Sequence, residues 1–249
     1  MSGHSKWASI KHKKAATDSK RGQLFTKLAR AIQVAAREGG PDPAGNATLA
    51  SAIEKARAAS MPKDNIQRAI DKGSGAGADA DSFESTTYEG YGPGGVAILV
   101  EALTDNRNRT SSDVRHMFTK HGGSLGEPGS VAWIFEKKGE IVVDAKRYSE
   151  DDLFPAIDAG ADDIAVDQNV YEIVTEPSSF SAVRNALEEA GVQFQSADLT
   201  MRPTNQVPVE EAQVPQLMRL IEALEDNDDV QAVHANFDVD ADVLERAMA

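Results

Sequence analysis

Apolar positions along the chain change period more than once. From Lys20 to Glu38 they recur at helical spacing. Leu24, Leu28, Ala31, Ile32 and Ala35 fall on one face, and Lys20, Gln23, Lys27, Arg30 and Arg37 on another. Gly39-Gly40-Pro41 supplies the stop. A second helix is predicted over Ala47–Ala58, with Leu49, Ile53 and Ala56 inward. A third runs from Pro62, a residue suited to a first helical position, to Lys72, with Ile66, Ala69 and Ile70 as its apolar face.

Ser74 to Asp81 is a Gly/Ala/Asp stretch with little to bury, and it reads as a linker. Beyond it the pattern is mixed. Strands are predicted at Thr86–Tyr91 and Val96–Leu103, joined by the turn Gly92-Pro93-Gly94-Gly95. A helix follows over Arg109–His121, then a strand at Ser130–Glu136. Next come strand Glu140–Asp144, helix Asp151–Ala159, strands Asp163–Asp167 and Tyr171–Thr175, helix Ser179–Ala190 and strand Asp198–Arg202. That is the β-α-β-β-α-β order of a ferredoxin-like unit. A helix at Glu210–Glu225 and a strand at Val230–Phe237 remain. They are needed to complete the sheet begun before Glu136, which has too few helices to cover it alone.

The predicted fold is therefore α+β with three domains: an N-terminal three-helix domain and two α+β domains, one ferredoxin-like and inserted in the other. The boundaries are 1–73 for a basic α-helical domain, 74–81 for the linker, 82–137 with 208–249 for a discontinuous α+β domain, and 138–207 for the insert. One continuous α+β body is the alternative arrangement of the same elements.

Charge sharpens this division. The 249 residues carry a net charge of −14, but residues 1–73 hold 14 Lys+Arg against 6 Asp+Glu, and the remainder is strongly acidic. Such a split suggests a basic module for a polyanion carried on acidic domains. A basic helix neutralised by the protein's own acidic half is the competing reading. Cysteine is absent, which excludes disulfides, thiolate metal sites and cysteine nucleophiles and fits a reducing compartment. The longest apolar runs, such as Val96–Val100 and Val131–Phe135, are too short to span a membrane, and the basic N-terminus lacks a signal core. We expect a cytoplasmic protein with no membrane partner.

Catalytic chemistry finds no support. None of the five histidines sits in a zinc-protease motif, no nucleophile elbow occurs, and the Gly92–Gly95 turn lacks the lysine of a phosphate-binding loop. Asp238, Asp240 and Asp242 lack the glycine and terminal glutamate of a calcium loop and read as an acidic solvated tail. The expectation is no enzyme activity, no metal, no cofactor and no small-molecule substrate. Nucleic-acid binding fares better. Lys6, Lys11, Lys13, Lys14, Lys20, Arg21, Lys27 and Arg30 can neutralise phosphates, with Trp7 and His12 among them to stack on bases. Trp7 as a core anchor for the basic arm is equally open. A second patch, Arg107, Asn108 and Arg109, follows an apolar strand and can reach phosphate or base edges. Thr110 or Ser111 can instead simply cap the helix that follows.

Several words are similar to one known family. Gly3–Lys14, Met61–Ile66, Tyr88–Gly95, Thr104–Thr110, Gly122–Gly126 and Ser130–Trp133 resemble the YebC/PmpR family and occur in its order over nearly the whole chain. Ala47 departs from the proline expected after Asn46. The resemblance implies a three-domain, cytoplasmic, non-enzymatic DNA-binding transcriptional regulator. The alternative it implies, in part through the family's mitochondrial relatives, is a ribosome-associated translation factor that binds ribosomal RNA and relieves stalling. A protein-interaction scaffold whose basic helix docks on an acidic partner is the third possibility.

Overall fold

The computed structural model describes residues 18–75, 83–167 and 169–248. Three helices open the chain: α1 (Asp18–Gly39), α2 (Ala47–Ala58) and α3 (Lys63–Gly73). They enclose a core of Ile32, Ala35, Leu49, Ile53, Ile66 and Ile70. The inward stripe of α1 runs through Phe25, Leu28, Ala29 and Ile32, while Leu24 is 45% exposed. The larger Phe25 ring takes the seat that periodicity assigns to Leu24. Asn46 ties the end of α1 to the start of α2. Its Oδ1 accepts from Leu49 N–H at 3.0 Å, and its amide donates to the Ala35 and Gly40 carbonyls at 2.7 and 2.9 Å.

β1 (Glu84–Tyr91), β2 (Ala97–Thr104), β3 (Ser124–Leu125) and β9 (Val230–Ala235) form an antiparallel sheet in the order β3-β1-β2-β9. Gly94 and Gly95, both at positive φ, turn the chain from β1 into β2. One face of this sheet is covered by α4 (Arg107–Lys120), α7 (Val214–Glu225) and α8 (Ala241–Met248). There Ile98 and Val100 meet Val114, Phe118, Leu217, Leu220 and Leu244. On the other face Ala97 and Leu99 meet Val131, Ile134 and Phe135. Burial on both faces is why this central strand is an unbroken apolar run rather than an alternating one.

Between β3 and β9 the chain makes the ferredoxin-like insert: β4 (Phe135–Asp144), α5 (Phe154–Asp158), β5 (Ala161–Asp167), β6 (Val170–Thr175), α6 (Phe180–Glu189) and β7 (Phe194–Pro203). Its antiparallel strands lie in the order β5-β6-β4-β7 around a core that includes Ile141, Leu153, Ile173, Val183 and Leu187. Short β8 (Val207–Pro208) and β10 (Phe237–Asp238) pair in parallel. The architecture is α+β in three domains, with the ferredoxin-like one inserted in the other α+β domain.

Two expectations change. Ser130–Glu136 is not a strand. The N–H groups of Val131 and Ala132 both donate to the Glu89 carboxylate at 2.7 Å and cannot pair in a ladder, and Ala132–Ile134 is a 3-10 turn. The strand begins at Phe135 and runs unbroken to Asp144, so the sequence boundary between 137 and 138 falls inside it. The C-terminal aspartates Asp238, Asp240 and Asp242 are solvent-exposed, as expected, but the segment that carries them is folded rather than a tail. Asp242 lies in the first turn of α8, and Leu244 is fully buried against the core shared with α7. Among the described residues, no helix is long and apolar enough to cross a membrane.

Candidate nucleic-acid interface

Two basic patches far apart in sequence meet on one carboxylate. Asp229 lies in the turn between α7 and β9 and is 4% exposed. Its Oδ1 accepts from Arg30 of α1 at 2.7 Å. Its Oδ2 accepts from Arg109 of α4 at 2.8 Å and from the Thr110 hydroxyl at 2.6 Å. Burial pushes the Asp229 carboxyl up. The hydrogen bonds from Arg109 and Thr110 and the charges of Arg109 and Arg30 outweigh it and hold the group below the usual carboxylate range. The same bonds, with a further one to Asp105 at 2.8 Å, hold Arg109 firmly charged.

The rest of α1 is seated by main-chain acceptors. Lys27 donates to the Glu225 carbonyl at the end of α7, and Arg37 donates to the Phe83 carbonyl. The Arg30 guanidinium also donates to the Asp228 carbonyl at 2.5 Å and lies over the Phe83 ring, 5.1 Å from its centroid. Part of the charge of α1 is therefore neutralised within the chain, as the competing reading of the charge split expects. The remainder faces outward. Arg21 is exposed and stacks on Phe25 at 5.5 Å. Lys20 is in the first turns of α1, and its side chain lies outside the described residues. So do Lys6, Trp7, Lys11, His12, Lys13 and Lys14 in their entirety.

At the second patch Asn106, not Thr110 or Ser111, caps α4. Its Oδ1 accepts from Arg109 N–H at 3.1 Å. Thr110 is instead fully buried and bonds Thr104 Oγ1 at 2.7 Å as well as Asp229. The helix starts two residues earlier than its spacing suggests, which places Arg107 and Asn108 on the exposed first turn. Arg107 reaches Thr86 Oγ1 at 3.3 Å and Glu84 at 3.9 Å, both weak holds on a side chain that is 64% exposed. Arg109 remains 47% exposed despite its two carboxylate partners. The outcome is that Arg30 of α1 and Arg109 of α4 are joined through the buried Asp229, with Arg107 and Asn108 exposed beside them on the first turn of α4.

Asp229 escapes sequence reasoning because Asp226-Asn227-Asp228-Asp229 reads as an ordinary solvated turn. The charge it matches lies about 120 and 200 residues away. Elsewhere, a cleft of about 590 Å³ beside β4 and β7 is lined by Glu136, Lys138, Asp163 and Arg202 among others. Lys138 there is held by Asp162 and Glu176, and Arg202 by Glu172 through Nη2. Among the described residues, no group of three or more His, Asp or Glu side chains is placed to hold a metal ion.

Comparison with known proteins fits this architecture. Residues 5–76 match the family model described as the TACO1/YebC protein N-terminal domain, and residues 83–237 match the TACO1/YebC second and third domain. A protein of Rubrobacter xylanophilus named "Probable transcriptional regulatory protein" is 57% identical over 98% of both chains. One of the same name from Acidothermus cellulolyticus is 54% identical over 98% of this chain and 99% of its own. The crystal structure of a conserved hypothetical protein from Aquifex aeolicus superimposes with a TM-score of 0.80 at 48% identity, covering 90% of this chain and 92% of that one.

Proposed function

Because this chain belongs to the TACO1/YebC family, we propose that it acts as a DNA-binding transcriptional regulator. In this reading it works in the cytoplasm as a binding protein, without a catalytic step, metal or cofactor. The observation that carries the proposal is the joining of the two basic patches at Asp229, which turns separate local charges into one surface that a phosphate backbone can follow. Lys11, Lys13 and Lys14 extend that charge towards the N-terminus and act as phosphate contacts, since three flexible point charges within four residues cannot all read base edges in register.

The test is a salt titration of duplex binding by the full chain and by its Lys11→Ala/Lys13→Ala/Lys14→Ala variant, on two unrelated sequences. The variant weakens binding equally on both and flattens log K against log salt by roughly 2–3 units. An unchanged slope refutes the phosphate role of the three lysines. Preference for ribosomes over duplex in a direct competition moves the same surface from transcription to translation.

A further inference from the structure

Cations that the sequence offers to a polyanion are, along α1, already taken by the chain itself. Lys27 donates to the Glu225 carbonyl, Arg30 to the Asp228 carbonyl and the Asp229 carboxylate, and Arg37 to the Phe83 carbonyl. The side chain of Arg30 is left 17% exposed. The acceptors of Lys27 and Arg30 all lie in Glu225-Asp226-Asn227-Asp228-Asp229, which carries four carboxylates in five residues. To α1 this turn presents what a nucleic-acid backbone presents, closely spaced oxygen acceptors in a segment of high negative charge.

The means of attachment are those of a reversible contact. The core of the helical domain is drawn from its own residues, Phe25 to Ile70, and among the described residues no apolar side chain of the α+β domains joins it. The bonds that tie it to them are polar. Besides those of α1, Glu54 and Lys55 of α2 pair with Arg184 of α6 and Asp198 of β7 in the insert, at 2.9 and 2.7 Å. Glu54, Lys55 and Asp198 are about half exposed, so salt and competing charge weaken these pairs. Phe83, buried at the join, has the Arg30 guanidinium over its ring. The sequence between the two bodies, Ser74–Asp81, is the Gly/Ala/Asp stretch with little to bury. Polar interfaces of this kind within one chain allow domains to move against each other.

We propose that the docking of α1 on the α7–β9 turn is an autoinhibitory contact, in which the acidic turn stands in for a phosphate backbone and a bound nucleic acid displaces it. Lys27, Arg30 and Arg37 cannot serve both, so each state excludes the other. The docked chain makes first contact through the exposed Arg107 and Arg109. Phosphates then replace the carbonyls and the carboxylate on α1, and the helical domain leaves the body. One set of charge-assisted bonds is exchanged for another, so a modest difference in strength decides the balance. The apparent affinity of the docked chain is lower than that of the released one by the fraction released. The inference rests on the nucleic-acid reading above and adds a regulation to it.

The test uses the full chain, which has no cysteine of its own, so Ser51→Cys on α2 and Glu189→Cys on α6, both exposed, take a donor and an acceptor dye. Energy transfer between them reports docking, and anisotropy of a labelled duplex of mixed sequence reports binding by the undyed chain. Saturating duplex is expected to lower the transfer. Arg184→Ala/Asp198→Ala removes one charge of each sign, so the net charge stays at −14 while the ties at Glu54 and Lys55 are cut. This variant starts from lower transfer and binds the duplex roughly twofold to tenfold more tightly. Duplex bound with the parent's transfer unchanged overturns the proposal, and so does a variant of lowered transfer that binds no more tightly; the proposed function stands in both cases. If the variant keeps the parent's transfer, the parent's own response to duplex decides. If the parent binds no duplex, the nucleic-acid reading itself fails and this inference falls with it.

Discussion

Two carboxylates, Asp229 and Glu89, each almost buried, organise the segments around them, and each can be tested by a single substitution. Asp229→Ala removes one acceptor from Arg30, Arg109 and Thr110 together and leaves the guanidinium of Arg30, 17% exposed, with the Asp228 carbonyl and the Phe83 ring but no carboxylate. The expected cost is about 2–4 kcal/mol of stability, read as a lower denaturation midpoint. An unchanged midpoint would mean that α1 is held by Phe83 and the Glu225 carbonyl instead. Glu89→Gln keeps the shape but exchanges charge-assisted bonds to three backbone N–H groups for weaker ones. About 1–3 kcal/mol is expected, together with faster hydrogen exchange over 129–134 and not over β2. The charge patches around Arg30 and Arg109 are legible in sequence because clustering of like residues is a local property. Their shared partner is not, because it becomes local only after folding.

Between elements, the docking of α1 on the α7–β9 turn is electrostatic and responds to acid in a defined direction. Asp229 and Glu89 both titrate lower in the folded chain than free carboxylates do. The stability they contribute is complete above the ordinary carboxylate value near 4 and is lost as pH falls through their lower folded values. Stability attributable to them is therefore flat from neutral pH to about 5 and falls below about 4, and the acid loss is shallower in Asp229→Asn and Glu89→Gln. Denaturation midpoints across that range decide it; an equal fall in parent and variants contradicts the assignment. The helices of the N-terminal domain and the order of the insert are legible because period and stop signals agree there. Val131–Phe135 misleads because five apolar residues in a row have the length and composition of a buried strand. Whether their N–H groups face a neighbouring strand or the carboxylate of Glu89 depends on a residue more than 40 positions away. The missed α8 is short, and Leu244, fully buried, is hidden among acidic neighbours.

At the scale of the molecule, the sheet on which α4 and α7 pack is closed by its C-terminal strand. β2 pairs with β9 through Ile98 and Ala235, and the leucines of α7 fill the same core as Val114 and Phe118. Leu217→Ala should cost about 2–5 kcal/mol. It should raise hydrogen exchange in β1 and β2 while the insert, built on its own cluster around Ile141 and Ile173, keeps its protection. Equal loosening of both would show that the two cores unfold as one. The insert enters on β4 and leaves on β7, and these strands are neighbours, with Phe135 opposite Pro203. During synthesis this gives the chain a definite order of events. The insert can close on itself first and bring its two ends to within about 5 Å. The span separating β2 from β9 then shrinks, for loop-closure entropy, from more than a hundred residues to a few short connections. Even so, the first sheet waits for its last strand, so β1 and β2 leave the ribosome long before the partner that completes them.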